Sequence, residues 1–125
     1  TSRPLIYDIT VGSIATPADN AAWYFLRRFA TSNGTGGTSV TSVALDPANP
    51  ASPHGGMRAH TTEPTYTVGA NLLAWSQNQR ATFRWVSAPG GELISPATSN
   101  SGIGLISDVI SGSAVTMTAV IHYEE

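Results

Sequence analysis

The stretch QNQRATFRWVSAPGGELISP, residues 77–96, alternates apolar and polar side chains and then breaks on Pro-Gly-Gly. In an extended chain successive side chains point to opposite faces, so Ala81, Phe83 and Trp85 fall on one side and Arg80, Thr82 and Arg84 on the other. Pro89 and Gly90 suit the two central positions of a type II turn, because proline presets the first φ and glycine accepts the positive second one. The expectation is a strand over 80–87 with one face on a core, followed by a chain reversal.

The same period of two runs outward in both directions, and no dozen-residue window free of Gly and Pro carries a helical apolar stripe. In LIYDITV (5–11), Leu5, Tyr7, Ile9 and Val11 share a face, with Asp8 and Thr10 opposite. WYFLRRFA (23–30) is apolar on both faces until Arg27 and Arg28, which predicts a central strand with one end in solvent. A helix N-cap is available just before it in Asp19 or Asn20, but aromatic residues on every side favour a strand. Further strands are expected over 38–45, 57–62, 71–76, 103–110, after ELISP and PATSNSG, and 115–124; in the last, Val115, Met117, Ala119, Ile121 and Tyr123 point inward. Between the third and fourth, DPANPASPHGG holds three prolines and two glycines, which forbid a central strand and predict a long loop. The total is about eight strands in one domain: an all-β, antiparallel two-sheet β-sandwich, jelly-roll-like, with a small closed barrel as the alternative.

Composition narrows function mainly by exclusion. Of 125 residues only 11% are charged, well under the roughly 25% of an average soluble domain. All six basic residues are Arg, and the net charge of -2 gives no basic footprint for phosphates, so nucleic acid is not an expected partner. With no Cys there is no disulfide framework, thiolate metal site or Cys nucleophile. No apolar run reaches the roughly 18 residues of a membrane helix, so no membrane partner is expected.

Catalytic patterns are also missing. His54, His60 and His122 have no metal-spaced neighbour, and His60 with Glu63 reads as a solvent-facing pair. SNSGIG and ISGS lack the GxSxG elbow, and GTGGT (34–38), without the Lys of a phosphate loop, reads as a hairpin connection. The carboxylates Asp8, Asp19, Asp46, Glu63, Glu92 and Asp108 lie in separate segments, which leaves a hydrolase a distant third reading. No catalytic, cofactor-binding or metal-binding residue is assigned. Candidate contact residues are of another kind. Arg80 and Arg84 on one strand face, with Trp75 nearby, would make the aromatic and guanidinium patch enriched at protein interfaces. The loop from Asp46 to Gly56, with Asp46, Asn49 and His54, and the segment Thr1 to Pro4, with Arg3, are the candidate contacts with neighbours, because long ordered loops in small domains are usually functional. Asp-Pro and Asn-Pro in that loop form turns more economically than a calcium site. Trp23, Trp75 and Trp85 offer a second reading, a sugar-stacking platform.

Several blocks together, IYDITVGSIATPADNAAWYFLRRFATSNGTGG, ALDPANPASP, EPTYTVGANLL, NQRATFRWVSAPGGELISPATSNSGIGL and IHYEE, resemble small β-sandwich virion structural proteins of tailed bacteriophages and prophages, of the capsid decoration or head-auxiliary kind. The resemblance spans nearly the whole chain. It implies an architectural, non-enzymatic role at the capsid surface, the major capsid protein as partner and self-association, commonly as a homotrimer. A tail, neck or shell component would share the pattern.

Overall fold

The computed structural model describes residues 2–108 and 115–125. Nine strands run in chain order: β1 (Leu5–Ser13), β2 (Ala21–Phe29), β3 (Thr38–Thr41), β4 (Gly55–Arg58), β5 (Tyr66–Asn78), β6 (Phe83–Val86), β7 (Leu93–Ile94), β8 (Gly102–Asp108) and β9 (Met117–Glu124). The first sheet is centred on β1, with β9 along one side and β6 and β7 along the other. In the second, β2 lies between β5 and β8. All these pairings are antiparallel. β3 and β4 make a separate two-stranded ribbon.

No ladder joins the two larger sheets among the described residues, so the molecule is an all-β sandwich and not a closed barrel. Pairing of β1 with β9 and of β2 with β8 gives the connectivity a jelly-roll character.

The core lies where the two central strands face each other. Ile6, Ile9 and Val11 of β1 meet Ala22, Tyr24 and Leu26 of β2, and Leu73, Trp75, Trp85, Leu93, Leu105, Met117 and Tyr123 pack around them. Full burial of an Ile, Val or Leu of this set contributes about 1.5–3 kcal/mol. Three rings tie the sheets together: Tyr24 stacks on Trp75 at 5.5 Å, and Trp75 on Phe83 of the opposite sheet at 4.2 Å. Burial among these rings pushes the Tyr24 phenol up.

The alternation over 77–96 is interrupted where the sequence gives no break in period. Asn78 accepts the amide of Arg80 on its side chain and that of Ala81 on its carbonyl, both at 2.9 Å, so 78–81 is a turn and the strand expected over 80–87 shrinks to β6. Phe83 and Trp85 do face inward. The turn at 88–91 forms as expected: Gly90 has φ +79° and the Gly91 amide donates to Ala88 O at 2.8 Å. It does not reverse the chain. β6 and β7 both run antiparallel to β1 along the same side, pairing with residues 8–11 and 5–6 in turn. Pro-Gly-Gly is therefore an excursion within one interrupted strand, and counting that strand once leaves eight.

Other expectations shift by short distances. In β1 the register against β9 slips between Ile6 and Asp8, so Ile6 and not Leu5 or Tyr7 joins Ile9 and Val11 in the core. β3 stops at Thr41, four residues short of its expected end, and β4 begins at Gly55 and ends before Ala59, which has φ +54°. GTGGT is not a hairpin connection, because β2 and β3 do not pair; Thr35 bridges instead to Thr62. Of the strand expected over 103–110, the part beyond Asp108 lies outside the described residues.

Candidate interaction surfaces

The two sheets turn different faces outward. On the first sheet, the register slip in β1 brings Tyr7 and Asp8 together opposite His122. Tyr7 stacks on the His122 ring at 6.1 Å. Asp8, whose side chain is 8% exposed, takes both arms of the Arg84 guanidinium at 3.0 and 2.7 Å and lies 3.4 Å from His122 Nδ1. A bidentate charged pair with a third polar neighbour is a well-satisfied way to cover a carboxylate. The Arg84 guanidinium bonded to Asp8 holds its carboxyl below the usual carboxylate range.

The outer face of the second sheet is aromatic. Along β2, Trp23, Phe25, Arg27 and Phe29 are flanked in register by Ser76, Ala74, Asn71 and Tyr66 of β5 and by Asp108, Ile106, Gly104 and Gly102 of β8. Trp23 meets Phe25 edge-on at 6.1 Å, and the Arg27 guanidinium lies 4.4 Å over the Phe25 ring while its Nε donates to Asn71 at 2.6 Å. Trp23 is 49% exposed.

Between β2 and β5 the chain leaves the sandwich as an arm, residues 30–65, that carries the β3–β4 ribbon and the loop 42–54. Every residue of β3 and β4 is exposed. Val43 is 85% exposed and Leu45 77%, and Val40 and Met57 of the ribbon are also open. The foot of the arm is pinned to the end of β9: the Tyr123 hydroxyl donates to Ser42 Oγ at 2.6 Å and lies 2.9 Å from Ser52 Oγ, which also bonds Glu125.

The sequence candidates scatter over these surfaces. Asp46 builds a turn, accepting the amides of Ala48 at 2.9 Å and Asn49 at 3.0 Å, both in the exposed part of the arm. His54 lies at the foot of the arm, where Ser42 and Ser52 bond its carbonyl and its ring lies 3.3 Å from the Ser2 hydroxyl. Ser2 of the N-terminal segment thus sits against this loop. Arg3 is exposed elsewhere, beside Arg28, Ile94, Ser95 and Pro96 in an open hollow of about 300 Å³.

Arg80, Arg84 and Trp75 do not form one patch. Arg80 sits in the 78–81 turn against Pro17 O at 3.3 Å and Asp19 at 3.8 Å, Arg84 caps Asp8, and Trp75 is stacked inward between Tyr24 and Phe83. The turn rotates Arg80 out of the phase that alternation assigned to it. Trp85 also packs against the core, so the three indoles share no platform.

Two features went unread in the sequence: the Asp8–Arg84–His122 cluster and the Tyr123 anchor. Both join residues more than 65 positions apart, so local pattern carried no signal for either.

A shallow hollow of about 170 Å³ brings His60 and Glu63 beside Tyr66, Ser107 and Met117. Burial, and secondarily the Glu63 charge, push the Tyr66 phenol up. Among the described residues, no group of three His, Asp or Glu side chains is placed to hold a metal ion. No family model, no curated protein and no solved structure matches the chain.

Proposed function

We propose that this chain is a non-enzymatic virion structural protein that decorates and stabilises a bacteriophage capsid, with the major capsid protein and further copies of itself as partners. One observation carries the reading. The chain exposes 7758 Å², whereas a free-standing protein of 13.0 kDa exposes about 6,300 Å². Beside this surplus of roughly 1,400 Å², apolar side chains stand open on the arm at Val40, Val43, Leu45 and Met57, on the second sheet at Trp23 and Val68, and on β9 at Val120 and Ile121. Surface of that kind is stable in water only at a cost, and a component that spends its life against neighbours recovers it.

The arm fits the contact with the shell. Its loop holds Asp46, Asn49 and His54, its ribbon bears no buried residue, and its foot is fixed to β9, so the tip is presented at a defined angle. Each contact is small, and a closed oligomer that engages several shell sites at once converts weak contacts into firm attachment. The resemblance to decoration proteins supports the same reading and gives the setting, the capsid surface.

Sedimentation of the purified chain with undecorated capsids tests this. Co-sedimentation at micromolar concentration, abolished by Val43→Ser together with Leu45→Ser, is the expected result. Capsids that pellet without the chain contradict it.

A carbohydrate-binding role in host attachment is the second reading, favoured by one observation: Trp23 is half exposed, with Ser76 and Asp108 beside it in register to bond sugar hydroxyls. Glycan-array binding lost in Trp23→Ala and kept in the arm variant would favour it over the capsid.

A further inference from the structure

We propose that two copies of this chain join edge to edge through β9, antiparallel, so that the first sheet continues from one copy into the other across a two-fold axis beside Val120. The inference concerns self-association alone, so its failure and that of the capsid reading are read from separate experiments.

The hydrogen-bond phase of the ladder shows which groups are free. Ile14 N donates to Thr116 O at 3.0 Å, and the register then pairs Gly12 with Thr118 and Thr10 with Val120. In an antiparallel ladder, bonded and non-bonded pairs alternate. Thr118 and Val120 therefore direct their amides and carbonyls to β1, and Met117, Ala119 and Ile121 direct theirs to the open side. The other side of β1 is consistent: Ser87 N donates to Tyr7 O at 2.9 Å, so Tyr7, Ile9 and Val11 turn toward β6, and Thr10 and Gly12 toward β9.

An open edge invites a further strand, and the other edges of this sandwich carry devices against it. The β6–β7 edge is cut by the Pro89-Gly90 excursion. The first half of the β5 edge is cut by two slips in register, at Leu26/Arg27 and Arg27/Phe29 of its neighbour, where Gly69 has φ +79°; its unbroken remainder, Leu73–Asn78, runs directly into the 78–81 turn. β8 carries Gly102 and Gly104. From Met117 to Ile121, β9 has no Pro, no Gly, no charge and no slip, and it exposes Val120 (52%) and Ile121 (40%).

What fits such an edge is an extended strand, and a second β9 fits it best. With the axis beside Val120, Ala119 bonds the partner's Ile121 and Ile121 the partner's Ala119, small against large on the inner face. Val120 meets the partner's Val120 as a non-bonded pair, the closest kind of cross-strand contact. The antiparallel sense separates the acidic ends Glu124 and Glu125, which a parallel pairing would superimpose. The seam takes Val120 and Ile121, 52% and 40% exposed in the single copy, out of water and leaves the arm open. This names a two-fold contact where the resemblance implies a three-fold.

Sedimentation of the full chain at rising concentration should give twice the 13.0 kDa of one copy. Ala119→Pro removes an outward amide without touching the β1 ladder, and Ile121→Lys puts a charge on the seam; each should return the mass to one copy with an unchanged circular dichroism spectrum. Amide exchange of the unaltered chain reads the same contact without mutation. Ala119 and Ile121 should lose at least tenfold protection on dilution while Thr118 and Val120 keep theirs. A single-copy mass at every concentration overturns the proposal. So does an oligomer that survives both substitutions, or one whose Ala119 and Ile121 exchange ignores dilution.

Discussion

The sandwich body and the arm are written in the same alphabet, short alternating runs of Ile, Val, Thr and Ser, and they end in opposite states. In LIYDITV the alternate residues Ile9 and Val11 are fully buried; in TSVTSVAL the alternate residues Val43 and Leu45 are 85% and 77% exposed. The difference lies in what stands opposite. β1 faces β2 across a core, whereas Val43 and Leu45 lie in the loop beyond β3, outside both larger sheets. Alternation tells which side of a strand needs covering. It does not tell whether the same chain supplies the cover, and here the body is covered from within and the arm is left for a neighbour.

The contrast is easiest to break at the core. Tyr24→Ala removes the ring that stacks on Trp75 and should cost about 3–5 kcal/mol in denaturant unfolding; a cost under about 1 kcal/mol would mean that the body is as loosely covered as the arm. Where the arm rejoins the body, Gly104→Ala would set a Cβ 2.5 Å from the Tyr66 hydroxyl and 2.6 Å from its ring. Forcing that ring aside should cost about 1–3 kcal/mol.

At the foot of the arm, Tyr123→Phe deletes the hydroxyl that holds Ser42 and Ser52 and should cost about 1 kcal/mol. Amide exchange should show faster opening confined to residues 42–54, which would sharpen the contrast by separating the arm from the body. A smaller effect is expected for Asp8→Asn, because Arg84 is 63% exposed and the pair is screened by solvent. Asp8 has its folded pKa below its unfolded one, so its contribution is whole above the unfolded value of about 3.9 and is lost as pH falls through the folded value. The gap in Tm between Asp8→Asn and the unaltered chain should be steady near neutral pH and close on acidification below that value. Smallest of all, Val43→Ser with Leu45→Ser should leave stability within about 0.5 kcal/mol, since neither side chain has cover to lose.

Much of the fold was legible because period two is a direct imprint of the pleat. The central position of β2 followed from WYFLRRFA being apolar on both faces; of the inward set expected for β9, Val115, Met117 and Tyr123 pack on the core while Ala119 and Ile121 stay exposed at the sheet edge. What was hidden was every feature in which period and partner disagree. Asn78 turns the chain without disturbing the alternation around it, which left Ala81, expected to share the inward face of Phe83 and Trp85, exposed in the turn. One extra residue in β1 moved Ile6 into the core and set Tyr7 and Asp8 side by side. Pro-Gly-Gly announced a turn correctly, yet a turn fixes three peptide planes and not the direction in which the next strand runs. Candidate contact residues were legible only as members of exposed loops. Their grouping depended on contacts far apart in sequence, of which the Ser52–Tyr123 pair is the clearest.

Hydroxyl-radical footprinting of the chain, alone and after incubation with undecorated capsids, tests most directly whether the open apolar surface exists to be covered by neighbours. Strong labelling of Val43 and Leu45 in the free chain, falling several-fold in the assembly while the labelling of Met117 at the sandwich rim stays level, is the result expected. Equal labelling of Val43 and Leu45 in the two samples would contradict it.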